Sequence, residues 1–394
     1  MIVIAEIGTS HNGSLQKAKE LIDGAGEAGA DCVKFQWVYA DEILHPNTGF
    51  VSLPTGNISL YERFRELEVG ADFYAECLSY AHSRGLLFAC SPFGLRSLEE
   101  LLVLNPDAVK IASPEVNHIP LLNKLSQCYG QVPLILSSGV SRLGDIETAV
   151  DILTKGEKAE CTKKGFAPLT LLHCITSYPA PEEEYNVKCV KTLSDIFGIP
   201  TGISDHSLTP VLVPALTAAM GGTVIEKHIT LSRKTDGLDD PVALEVEQFA
   251  QMVHAVHQVE AVIQRWKKEE LALGGGNVTG QDRVPEGAVK EIVSQLADEF
   301  GMEKIQKILG SGIKRLAKSE TANYGRTNRS LHYLRAIKKG QTISKNDIAV
   351  LRTEKVLSPG IAPVWEEKII GSRLTRDVES GEGVQWEHFL TRED

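Results

Sequence analysis

No CxxC pair occurs among the seven cysteines of this 394-residue chain, no apolar run approaches the roughly 20 residues needed to cross a bilayer, and basic residues are not in excess. Each absence excludes something. Cys32, Cys77, Cys90, Cys128, Cys161, Cys174 and Cys189 are scattered and odd in number, which argues against a disulfide framework and for a reducing compartment. Cys32, Cys90 and Cys174 lie in apolar strand-like runs, where a thiol behaves as a small hydrophobe. A net charge of −11 speaks against a nucleic-acid surface. An anionic substrate therefore needs a cleft in which lysines locally outweigh that background. The opening MIVIAEIG has neither a basic n-region nor a long apolar core, so it does not read as a signal peptide. The expectation is a cytoplasmic protein that meets neither membrane nor nucleic acid.

What the chain does have is ordinary globular composition, 42% apolar and 24% charged, at a length that calls for one large domain and smaller units. Strand-like and helix-like segments alternate up to about residue 270, giving about eight strand–helix units, the order of a (β/α)8 TIM barrel in the α/β class. The strands are continuously apolar, as strands covered on both faces should be. A doubly wound open sheet is the alternative, with fewer strands and a switch-point cleft. Residues 39–70 read as an extended loop over one face. Gly274-Gly275-Gly276 ends the pattern, and 284–310 reads as one or two amphipathic helices with Val289, Ile292, Val293, Leu296 and Phe300 on one face. That segment is a connecting element, and a packing surface for a partner chain is one use for it. The last part is internally duplicated: LRAIKKGQTISKNDI and TRDVESGEGVQWEHF share one frame about 41 residues apart, marked by Gly340 and Gly381. A β-rich unit this small needs something to dock on. The domains are thus 1–272, a barrel; 273–325, a linker with an inserted helical segment; and 326–394, a small β-rich domain.

Polar residues gather after the strands, where barrel active sites lie. The seventh and eighth strands end in Ser204-Asp205-His206 and Glu226-Lys227-His228, which neighbouring parallel strands would bring together. Either histidine alone could be a satisfied core residue. As a pair they could hold a divalent metal in an open shell suited to Lewis-acid work. Glu6 closes the first strand and could serve as acid, base or hydroxyl acceptor, or as a loop brace. Lys34 and Gln36 share a face of the second strand, and Lys110 ends the fourth. Lysines in such apolar surroundings are costly to bury without an anion. With the hydroxyls of Ser91, Ser113, Ser137 and Ser138 they suggest a phosphate-plus-carboxylate pocket. A Schiff-base lysine and lysines neutralised by internal carboxylates are the competing readings. Tyr178 and Asp239 are candidates for aligning a sugar or a water.

These residues sit in motifs that together resemble the sialic acid synthase family, N-acetylneuraminate synthases with their legionaminate, pseudaminate and spore-coat-polysaccharide relatives. The motifs are A-E-I-G-T-S-H-N-G (5–13), V-K-F-Q (33–36), S-P-F (91–93), V-K-I-A-S-P-E (109–115), L-S-S-G (136–139), H-C-I-T-S-Y-P (173–179), S-D-H (204–206) and E-K-H (226–228). The duplicated tail resembles that family's SAF, or antifreeze-like, module. The resemblance implies condensation of phosphoenolpyruvate with an N-acyl mannosamine-type aldehyde to a nine-carbon 2-keto acid and phosphate. It implies Mn2+, or Mg2+ or Co2+, on His206 and His228. Lys34, Ser91, Lys110, Ser113, Ser137 and Ser204 would hold phosphoenolpyruvate; Glu6, Gln36, Tyr178 and Asp239 would face the sugar; Glu115 would orient the water. It further implies a domain-swapped homodimer in which one tail arginine, best matched by Arg352, binds the sugar's acyl group. This chain departs from the family at R-T-E-K-V-L-S-P-G-I after Arg352, at Ser10 and the substrate-side Thr176, and in the 284–310 segment. Those departures bear on which amino sugar is used. Related deoxy-octulosonate or heptulosonate synthases, and a chemically silent sugar-binding barrel, are the other readings. The SAF-like tail weighs against the first, and Lys34, Lys110, His206 and His228 against the second.

Overall fold

The structure, a computed structural model, describes residues 1–53, 56–157, 165–235, 237–272 and 283–390. Cys161 and the triple glycine 274–276 lie outside the described residues. Eight parallel strands follow one another around a closed ring: β1 (Ile2–Gly8), β2 (Cys32–Trp37), β3 (Leu87–Pro92), β4 (Ala108–Ile111), β5 (Leu134–Ser137), β6 (Leu169–Cys174), β7 (Thr201–Asp205) and β8 (Val224–Thr230), which pairs back onto β1. Outside them lie α1 (Leu15–Glu27), α2 (Ala71–Ser83), α3 (Leu95–Val103), α4 (Ile119–Ser126), α5 (Leu143–Thr154), α6 (Cys189–Phe197), α7 (Leu212–Ala219) and α8 (Val246–Ala272). The TIM barrel expected from the sequence is what the chain forms.

Side chains alternate across a strand, and this alternation builds the site. Outward residues such as Val33, Phe35 and Trp37 are buried against the helices. Each such large apolar side chain stabilises the fold by about 1.5–3 kcal/mol. Inward, Ile4, Cys32, Ala89, Ala108, Ile135, Leu172 and Val224 form a separate apolar plug with Phe166. Two residues further along the same strands stand Glu6, Lys34, Ser91, Lys110, Ser137, Cys174 and Glu226. The barrel is therefore apolar at one end and ionic at the C-terminal end of its strands.

Residues 39–70 contain more than a loop. A short helix (Ala40–Ile43), a hairpin (Phe50–Leu53 with Gly56–Ser59) and a second helix (Leu60–Glu66) stand there. The 284–310 segment is α9 (Glu286–Phe300) and α10 (Met302–Leu309). Its apolar face is spent on its own barrel: Ala288 and Ile292 pack with Ala215, Ala218 and Ala219 of α7 and Val259 and Ile263 of α8. Every residue of α7 is buried, and a helix apolar all round requires such a second cover.

In the tail, β9 (Arg329–Tyr333) and β10 (Ile348–Arg352) pair antiparallel. Ile337 bridges Val378, its counterpart in the second copy of the repeat. Gly340 and Gly381 both have left-handed backbones, φ +84° and +87°, a conformation that favours glycine at the matching step of each copy. A cluster including Leu331, Tyr333, Ile343, Leu374 and Val384 gives the tail its own small core. The tail sits on the loop after β2: Asn47 Nδ2 donates to the Ser380 carbonyl at 3.2 Å, and Thr48 Oγ1 to that of Thr353 at 3.2 Å. Within this one chain the tail docks on the barrel to which it is joined.

Candidate active site

The cleft at the ionic end has a floor of two amines and two carboxylates. Lys34 Nζ lies 2.7 Å from Glu6 Oε2 and donates to Ser91 Oγ at 3.3 Å. Glu226 Oε1 accepts from Ser204 Oγ at 3.1 Å and lies 3.7 Å from Lys34 and 3.5 Å from Lys110. Gln36 Nε2 donates to Glu6 Oε1 at 2.8 Å. Internal carboxylates do neutralise the lysines, as the bland reading of the sequence held, but the network is not saturated. Ser137 Oγ and Glu226 Oε2 are buried without a hydrogen-bond partner. Burial opposes the charge of Lys34, yet Glu226 and Glu6 outweigh it and raise its pKa. For Lys110 burial wins, Glu226 offsets it only in part, and the amine is pushed down. Burial likewise opposes the Glu226 carboxylate, but Lys110 and Lys34 hold it down to about 2. An amine with one distant carboxylate is a place where an incoming anion gains a full partner.

The imidazoles form one wall. The His206 and His228 rings are 5.6 Å apart between centroids, and Tyr178 stacks on His206 at 4.2 Å. His206 Nδ1 contacts the Ile175 carbonyl at 2.7 Å, which makes it the protonated nitrogen and leaves Nε2 free to ligate. Burial opposes charging of His206, but the Cys174 sulfur outweighs it and lifts the pKa to about 9; burial pushes His228 down. Asp239 stands 3.8 Å from His228 Nδ1, at the mouth. Among the described residues no three His, Cys, Asp or Glu side chains converge as a ready cage. Two facing imidazoles suit a divalent ion only if water or substrate oxygens complete its shell, and its binding must displace the His206 proton. In that open form the residues fit.

The floor and wall bring together Glu6, Lys34, Gln36, Ser91, Lys110, Ser113, Ser137, Tyr178, Ser204, His206 and His228 around one cleft. Ser113 Oγ accepts from the Gly139 N–H at 3.0 Å. A Cβ on Gly139 would stand 2.2 Å from Thr176 Oγ1 and 2.8 Å from Ser113 Oγ, so the β5 loop must pass here without a side chain. Thr176 Oγ1 is buried and unpartnered.

Three residues, Asp205, Lys227 and Glu115, stand otherwise than the sequence suggested, and a fourth was missed. Asp205 and Lys227 face outward, away from the cleft. Lys227 Nζ bonds Asp205 Oδ2 at 2.6 Å, the Ser207 carbonyl and hydroxyl, and the Thr209 carbonyl. One-residue steps along a strand switch faces, so adjacent motif residues part company. Glu115 does not face an open water position. Its oxygens are taken by Arg329 Nε at 2.6 Å and Arg352 Nη2 at 2.7 Å. Burial opposes its charge, but the two guanidiniums hold its pKa below the usual carboxylate range. Arg352 reaches the rim, its guanidinium 5.1 Å from the centre of Phe93, a cleft residue, with Nε buried and unpartnered. Arg329 was missed. Fully buried, it also donates to the carbonyls of Glu42, Val350 and Phe93. Its only sequence signal is a charge opening the tail strand R-S-L-H-Y.

The NeuB family pattern matches residues 21–268, and the SAF domain pattern matches 328–390. The N,N'-diacetyllegionaminic acid synthase of Legionella pneumophila is 31% identical over 98% of this chain and 94% of its own. The human N-acetylneuraminate-9-phosphate synthase is 30% identical over 73% of this chain and 80% of its own. The crystal structure of the spore coat polysaccharide biosynthesis protein SpsE from Bacillus subtilis, 29% identical, superposes over 100% of this chain and 96% of that one with a TM-score of 0.75. The chain therefore belongs to the NeuB family and carries a C-terminal SAF domain.

Proposed function

We propose that the protein condenses phosphoenolpyruvate with an N-acyl mannosamine-type aldehyde, giving a nine-carbon 2-keto sugar acid and phosphate. The observation that carries this reading is the one cleft in which unsaturated amines and hydroxyls on one side face paired imidazoles on the other. Relatives named as legionaminic, pseudaminic and N-acetylneuraminate-phosphate synthases support the class of product.

Lys110, Lys34, Ser91, Ser113, Ser137 and Ser204 take the carboxylate and phosphate of phosphoenolpyruvate by charge-assisted hydrogen bonds. His206 and His228 would hold a divalent cation, Mn2+ or else Mg2+ or Co2+, which supplies Lewis-acid polarisation of the aldehyde. The C3 carbon of the enol bonds to the aldehyde carbon, and the aldehyde oxygen gains a proton. Water bonds to C2 and loses a proton; the C2–O bond to phosphate then breaks as the new C2 hydroxyl gives up its proton and becomes the keto oxygen, and phosphate leaves with the bridging oxygen. Glu6 and Gln36, already hydrogen-bonded to each other, face the acceptor with Tyr178 and Asp239. Thr176 Oγ1 and Arg352 Nε, both buried and unpartnered, are free to meet the sugar and its acyl group. Since Glu115 is held by two arginines, its part is to seat Arg352 rather than to orient water.

Phosphate release screened across N-acyl amino sugars, with and without chelator, tests the reading. Release requiring both phosphoenolpyruvate and a manno-configured acceptor, and lost on chelation, is expected. Turnover with arabinose 5-phosphate or erythrose 4-phosphate instead would replace it with a related deoxy-acid synthase.

A further inference from the structure

His206 and His228 are each preceded by a residue whose side chain takes the opposite face of the sheet. Asp205 and Lys227 stand opposite each other in the parallel pairing of β7 and β8, and both are 1% exposed. The Lys227 amine reaches beyond that partner. It lies 2.6 Å from Asp205 Oδ2, and it also donates to the Ser207 carbonyl at 2.7 Å and the Thr209 carbonyl at 3.1 Å. The residues on either side of His206 are therefore tied to one nitrogen, carried by the residue that precedes His228. Asp205 Oδ1 closes the turn by accepting from the Ser207 N–H at 2.8 Å.

The His206 backbone is held as well. Its N–H donates to Tyr185 Oη at 2.5 Å, and its carbonyl accepts from the Ala180 N–H at 3.0 Å. Tyr185 is fully buried, and its own carbonyl lies 2.6 Å from His173 Nε2. A buried ion pair costs desolvation energy, and two well-packed apolar side chains often join strands as firmly. What an apolar pair lacks is direction: it cannot fix the turn after His206 against the strand of His228. A cation with two imidazoles as its protein ligands depends on that placement, because groups behind the ligands set their orientation and no third side chain corrects it.

We propose that Lys227 is a positioning residue for the cation site: bonded behind the sheet to both neighbours of His206, it sets the spacing of the two imidazoles on the inner face. The inference rests on the proposed cation at His206 and His228, and not on the condensation. Charge gives it a distinctive sign. Removing a nearby ammonium should by Coulomb attraction alone tighten the binding of a divalent ion, whereas lost placement should loosen it.

Mn2+ is titrated into protein stripped by chelator, without substrates, and the free ion is read from its electron paramagnetic resonance. Lys227→Met should raise the Kd about 10- to 100-fold. Lys227→Gln, whose amide keeps N–H donors for Asp205, should fall between it and wild type, and carries the comparison if the methionine variant does not fold. Leu101→Ala is the control. Leu101 is buried in α3, which follows β3, four strands around the ring from β7; its loss should lower Tm yet leave the Kd within about twofold. A lower Tm with an unchanged or smaller Kd in the Lys227 variants, or a rise as large in Leu101→Ala, would make the ion pair purely structural and overturn the proposal. Wild-type Mn2+ binding that is absent, or indifferent to His206→Ala and His228→Ala, would overturn it too. The expected shifts in a protein that releases no phosphate would remove the condensation and leave the role of Lys227 standing.

Discussion

The cleft floor and the tail clamp are both buried clusters of carboxylates and cations, and they differ in what remains unmet. Around Glu115 each carboxylate oxygen has its guanidinium, and Arg329 spends further donors on four carbonyls. Around Glu226 one oxygen serves two amines at 3.5 and 3.7 Å while the other has no hydrogen-bond partner. The outward pair of Lys227 and Asp205 sides with the clamp, its amine having four acceptors. Saturated buried charge holds a structure together; unsaturated buried charge waits for a ligand. Burial alone does not distinguish the two.

Removing one member of a saturated cluster should show the largest effect. Glu115→Gln leaves two buried guanidiniums without their counter-charge, an expected loss of about 3–5 kcal/mol, read in denaturant unfolding and as earlier proteolytic release of the tail. A loss under about 1 kcal/mol would place the clamp with exposed ion pairs and break the comparison. Lys110→Met should do the opposite. Little stability is lost because the amine is poorly compensated, while kcat/KM for phosphoenolpyruvate falls by about 100- to 1,000-fold. Destabilisation as large as that of Glu115→Gln would mean the floor is structural too. Between these lies Gly139→Ala. Its methyl group must push Ser113 or Thr176 aside, costing about 1–3 kcal/mol and raising KM for phosphoenolpyruvate with less change in kcat. An unchanged KM would separate the β5 loop from the anion pocket.

Much of the floor was legible because a barrel makes sequence periodicity spatial. Apolar runs gave the strands, and the polar residues at their ends gave Glu6, Lys34, Ser91, Lys110, Ser137, Ser204 and the two histidines. The same reading misplaced Asp205 and Lys227, since a motif written as adjacent letters hides the alternation of faces. The clamp was not legible. Glu115 and Arg329 are 214 positions apart, and nothing local in either says that the other exists. Glu320 was hidden for a similar reason: its carboxylate accepts from the backbone N–H groups of Val140 and Thr176, which leave no mark in a sequence.

The mildest expected effect is that of pH on the clamp. His118 is buried beside it, with Nδ1 accepting from the Leu121 N–H at 3.1 Å. Burial first, then the Arg329 charge, pushes its pKa down to about 3. Burial, with Lys314, does the same to His173. A histidine near 6.5 when unfolded and lower when folded gives stability that is complete above about 6.5 and is lost as pH falls toward the folded value. Each should cost about 0.7 kcal/mol between about pH 7 and 6, and about 1.4 kcal/mol per further unit. The Glu115 carboxyl, held low, adds its own loss only below about pH 4.3. His118→Asn keeps a side chain able to cap α4 and removes the titration. It should flatten the fall of Tm between about pH 7 and 5 relative to wild type. An identical slope in the variant would show that protons reach the protein elsewhere and that the clamp does not feel them until its carboxylate titrates.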